Sequence, residues 1–176
     1  MKINLTKRQV IKALRTEPLM AGEFFHKYSN YTYDDDGNAI EIKYNNNNNC
    51  AVCAVGCLLN SSKLGEDVMA GKNKLSLGKL DQIARNLTED VVFKDEDGDV
   101  MSLSALTVTG VVNMAREKAK DGQYLSALSS LFEALSVRDG YTTSKDLANY
   151  RLVNILVNFV KAEFPSKLVL DTKKKY

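Results

Sequence analysis

Apolar residues recur at helical spacing over most of this chain and alternate like strands in only two short stretches. Thr6-Lys-Arg-Gln9 has the form of a capping box, so a first helix is expected from near Lys7 with Val10, Ile11 and Leu14 as its apolar face. Pro18 ends or bends it, and Leu19 to Tyr28 reads as a second short helix. The character then changes. Tyr31 and Tyr33, then Ile40 and Ile42, flank Asp36-Gly37, a pattern that predicts a β-hairpin with the isoleucines joining the tyrosines. The asparagine run Asn45 to Asn49 reads as a loop whose last member caps the helix CAVCAVGCLLN.

Ser61 to Lys74 is polar and reads as a linker. Leu77, Leu80, Ile83, Ala84 and Leu87 then recur at helical spacing, and VVFKDEDGDVMSL predicts a second hairpin turning at Asp97-Gly98. From Ser104 onward the pattern is helical. ALTVTGVVNMAREKAK stops before Asp121-Gly122, QYLSALSSLFEAL follows, and Ser144 caps KDLANYRLVNILVNFVKAEF, closed by Pro165. Apolar residues nearly circle this last helix, which places it at the centre of a bundle, with Leu152, Ile155, Leu156, Phe159 and Val160 as core. The expected fold class is α+β, mainly α: a single domain over residues 1–176, a helical bundle with one or two small β-hairpins. Residues 165–176, with Lys173-Lys174-Lys175, read as a flexible basic tail dispensable for folding.

Composition narrows the function classes. At 176 residues with 44% apolar and 26% charged side chains, the chain is long enough for one self-sufficient core. Its 24 cations against 22 acids leave a net charge of only +2, which argues against direct nucleic-acid binding. No apolar stretch approaches the length of a membrane span, and MKINLTKRQ lacks the apolar region of a signal peptide. The three cysteines lie within eight residues, which is no disulfide framework and fits a reducing cytoplasm.

Those cysteines are the first candidate for chemistry. Cys50, Cys53 and Cys57, spaced i, i+3, i+7, share about 60° of a helix surface. With His26, the one histidine, they form a candidate zinc set; Cys50, at a helix start that lowers a thiol pKa, is alternatively a reactive thiol with His26 as base. The plainer reading is packing, because free cysteine buries like a small hydrophobe and Ala51, Val52, Val55, Leu58 and Leu59 surround it. The acid runs at Asp34 and Asp95 fail as calcium loops. Counted back from Gly98 the first ligand position is Phe93 and the last Ser104; from Gly37 they are Thr32 and Lys43. No phosphate-cradling loop, Ser-His-Asp set or His-Glu zinc motif is present, and no cofactor is expected.

KALRTEPLMAGEFF at Lys12 to Phe25, CAVGCLL at Cys53 to Leu59 and LSALSS at Leu125 to Ser130, followed by RLVNILVNFVKAEF, resemble in order and spacing a family of small phage and prophage proteins of unknown function. Ser129-Ser130 stands where that family has Asn-Asp, and the tyrosine hairpin and asparagine run are departures. The resemblance implies a viral or mobile-element origin and, by analogy, an accessory protein that binds and blocks a host protein such as a defence nuclease. The expected partner is a host protein, in particular a basic nucleic-acid-binding one. The expected contact surface is Tyr31 and Tyr33 rimmed by Asp34, Asp35, Asp36 and Glu41. A thiol-dependent enzyme using Cys50 or Cys53, and a zinc-stabilised binding module, are the alternatives.

Overall fold

The computed structural model describes residues 1–16, 30–33, 39–42, 54–72, 75, 77–88, 97–101, 106–139 and 148–176. Its elements run β1 (Lys2–Thr6), α1 (Lys7–Thr16), β2 (Asn30–Tyr33), β3 (Ala39–Ile42), α2 (Ala54–Asn60), α3 (Lys63–Met69), α4 (Leu77–Leu87), α5 (Val108–Lys120), α6 (Tyr124–Asp139), α7 (Ala148–Glu163) and β4 (Lys167–Asp171). The class is α+β, mainly α.

Local chemistry sets the helix ends. Thr6 and Gln9 form the capping box: the Thr6 N–H donates to Gln9 Oε1 at 2.8 Å and the Gln9 N–H to Thr6 Oγ1 at 3.2 Å. Each satisfies a backbone donor that a helix start leaves without a partner. At α5 the cap is Thr107, whose Oγ1 accepts from the Gly110 N–H at 3.0 Å, three residues later than sequence periodicity placed the start. The same helix closes in a Schellman motif. Gly122, at φ 82°, donates to Ala119 O, and the Gln123 N–H donates to Lys118 O. Pro18 and the expected helix over Leu19 to Tyr28 lie outside the described residues. Of the second hairpin only 97–101 is described, where Gly98 turns at φ 87°.

The core is built around α6, which touches α2, α5 and α7. Leu125, Ala127, Leu128, Leu131, Phe132, Ala134 and Leu135 of α6 are all buried and cover about half of the helix surface. Its alanines and Ser126 and Ser136 are small enough to be buried between helices, so α6 shares the central place that the sequence pattern gave to α7, which touches α1, α5 and α6. In α7, Leu152, Leu156, Phe159 and Val160 are buried and Ile155 is half-buried, while Arg151, Asn154, Asn158 and Lys161 form an outward stripe. Phe164 joins the two helices, its ring 5.5 Å from Tyr124 and 6.3 Å from Phe159.

Two sequence-based expectations are corrected. The polar stretch from Ser61 is not all linker: Lys63–Met69 is α3, capped by a buried Ser62 whose Oγ accepts from the Gly65 N–H and donates to Leu59 O. Residues 165–176 are not a flexible tail. Lys167–Asp171 pairs antiparallel with Lys2–Thr6, Ile3 opposite Leu170 and Leu5 opposite Leu168. The reason is alternation. Leu168 and Leu170 turn inward with Ile3 and Leu5, and all four are buried. The ladder extends at both ends through Lys7 N–H to Ser166 O and Thr172 N–H to Met1 O. The Thr6 and Asp171 N–H groups therefore face the two outer edges, where Gln9 Oε1 and the Tyr176 hydroxyl accept from them. Each edge is thus blunted by a side chain.

Candidate functional site

The expected contact surface begins with β2 and β3, which do pair antiparallel. The register sets Tyr31 opposite Glu41 and Tyr33 opposite Ala39, with Thr32 opposite Ile40 and Asn30 opposite Ile42. The tyrosines are therefore aligned with Glu41 and Ala39, not with the isoleucines. The register thus sets one acid, Glu41, directly opposite Tyr31. Asp34, Asp35 and Asp36 lie outside the described residues, in the connection that joins these strands.

The cysteine set is brought only partly into view. Cys57, in the middle of α2, has no solvent exposure and is packed in the main core with Ala54, Val55, Leu58 and Leu59. α2 touches α1, α3, α4 and α6, so that thiol is enclosed by helices on several sides. That environment suits a small apolar side chain. Cys50, Cys53 and His26 lie outside the described residues. Among the described residues no three His, Cys, Asp or Glu side chains gather as a metal site would require.

Two features escaped the sequence reading. One is a seam closed by Tyr176. Its N–H donates to Leu87 O at the end of α4, and its backbone oxygen accepts from both the N–H and the Oγ–H of Ser126, at 2.7 and 2.6 Å, in the first turn of α6. Ser126 is fully buried there, and first-turn N–H groups lack a partner within their own helix. The only sequence signal was a half-apolar residue after a basic run. The other is a stripe of cations on α1, Arg8, Lys12 and Arg15, all exposed. Their i, i+4, i+7 spacing was legible in the sequence, but the neighbouring cations belong to the other end of the chain.

No protein-family model, curated protein or solved structure matches this chain. Among the described residues no helix is long and apolar enough to cross a membrane.

Proposed function

We propose that this chain is a non-catalytic protein-binding accessory factor, in particular a phage-encoded inhibitor of a host defence system, and that it engages its target through the β2–β3 hairpin. The observation that carries the reading is the hairpin register, which aligns Tyr31 and Tyr33 with Ala39 and Glu41 on a ribbon whose connection is Asp34 to Gly37 and Asn38. Tyrosine supplies large contact area with few rotatable bonds and is a common hot-spot residue. A surrounding acidic rim favours a basic target and speeds encounter with it. A host nuclease is such a target, because its nucleic-acid groove is lined with cations that carboxylates engage in place of phosphate. The viral origin comes from the phage-family resemblance. Burial of Cys57 fits packing better than thiol chemistry at that residue.

The test begins with capture of the chain's partner from a bacterial host lysate and purification of that partner. The reading expects the partner to be a nucleic-acid-processing protein whose activity falls stoichiometrically as the chain is added. Catalytic turnover of a small substrate by this chain, lost on Cys50→Ser or Cys53→Ser, would establish the thiol-enzyme alternative instead.

A further inference from the structure

The modest net charge hides a strong segregation. Residues 1–16 carry five cations and no acid, and residues 148–176 carry six cations against two acids. The 131 residues between them carry 13 cations against 20 acids. The fold brings the two basic segments together. β1 pairs with β4, α1 packs on α7, and Lys7 Nζ donates to Lys161 O at 3.0 Å across that contact.

The outward faces of these two helices are the basic ones. On α1 they carry Arg8, Lys12 and Arg15, and on α7 Arg151 and Lys161, with the amides of Asn154 and Asn158 in the same stripe. All are exposed, and among the described residues none of these five cations meets a carboxylate. Elsewhere cations do find partners: Lys63 with Asp67, Arg116 with Glu163, Lys120 with Glu117. The Lys63 and Lys120 pKa values are raised accordingly, first by the hydrogen bond each makes to its carboxylate. Glu163, the one acid of α7, is turned to Arg116 on α5.

We infer that the α1–α7 face binds the phosphodiester backbone of nucleic acid, independently of base sequence. Arg8 to Arg15 spans about 10 Å of helix and Arg151 to Lys161 about 15 Å. Over ~15 Å a duplex presents about nine phosphate charges, enough to offer each of the five cations on these two adjacent helices a phosphate partner. Guanidinium forks and amide N–H groups are donors suited to phosphate oxygens. A membrane surface fits less well, since binding in its interface needs a broad exposed apolar face. The apolar residues of α1, and those of α7 from Leu152 to Val160, are buried or half-buried in the core. The surface shares no residue with the β2–β3 hairpin, so the two readings are tested independently.

The test titrates the full chain into a labelled random-sequence duplex of about 20 base pairs. Engagement of about five cations predicts a log–log salt slope near −4.5, so affinity falls about 500-fold between about 50 and 200 mM salt. The triple change Arg8→Gln, Lys12→Gln and Arg15→Gln alters exposed positions only, and a thermal melt checks that it folds. It should lower low-salt affinity by at least about tenfold and flatten the slope to about −2. Lys63→Gln, Lys72→Gln and Lys120→Gln make the same change in net charge away from α1 and α7 and should leave affinity within about twofold. Equal loss in both triple variants, or no duplex binding at low salt, overturns the inference. So does preference for phosphatidylserine vesicles or a polyglutamate peptide over the duplex.

Discussion

Leu170→Ala tests whether β4 belongs to the fold. Leu170 has no solvent exposure and stands opposite Ile3 in the β1–β4 register, in the same core cluster as Leu5, Leu14 and Phe164. Truncating a fully enclosed leucine removes its transfer free energy and leaves a cavity, which together cost about 2–5 kcal/mol. For a chain of this length, ~3 kcal/mol corresponds to a fall in Tm of about 6–12 °C. Val169 supplies the internal control. It is the next residue on the same strand, 50% exposed and on the opposite face, so Val169→Thr keeps the β-branched shape and should cost within about 0.5 kcal/mol. Urea unfolding followed by far-ultraviolet circular dichroism measures both. If Leu170→Ala is as stable as Val169→Thr, residues 167–171 are not packed as described and the β1–β4 pairing is refuted.

Three further outcomes follow from the same geometry. Tyr176→Phe removes the hydroxyl that accepts the Asp171 N–H at 2.9 Å, so it should cost about 1 kcal/mol and speed amide exchange selectively at Asp171. Cys57 should resist alkylation until the chain unfolds, read by peptide mass spectrometry. Cys57→Ala should cost about 1 kcal/mol, and Cys57→Asp should leave the chain unfolded, because it places a charge in an apolar core. Gly122→Ala meets nothing within 4 Å of the added methyl, so any cost is conformational: about 1–2 kcal/mol for a non-glycine residue at φ 82°, measured by denaturant midpoint.

Much of the fold was written locally and was legible for that reason. The Thr6–Gln9 box, the Asp121-Gly122 stop and the hydrophobic period of α4 through Ile83, Ala84 and Leu87 act within a few residues, and the structure realises each of them. What was missed depends on partners distant in sequence. KLVLD alternates as a strand should, but five residues cannot declare a partner, and β1 lies at the far end of the chain. The place of α6 beside α7 in the core was hidden by its serines and alanines, which read as weakly apolar although small size is what allows burial between helices. The candidate surface was legible in the same uneven way. The hairpin followed from turn chemistry, whereas its register put Glu41, not Ile40 or Ile42, opposite a tyrosine. Basic residues split between α1 and α7 gave no run in the sequence, and only the packing of those helices puts the two sets on neighbouring elements.

The measurement that bears most directly on the proposed function is a titration of the captured host partner with the intact chain and with two hairpin variants. Tyr31→Ala with Tyr33→Ala removes the anchors, and Asp34, Asp35 and Asp36 changed to Asn removes the acidic rim. Each hot-spot tyrosine is worth about 2 kcal/mol, so the first variant should weaken binding by about 1,000-fold, mainly through faster dissociation. The second should slow association and reduce its salt dependence. Unchanged affinity and unchanged salt dependence in both variants would contradict the account.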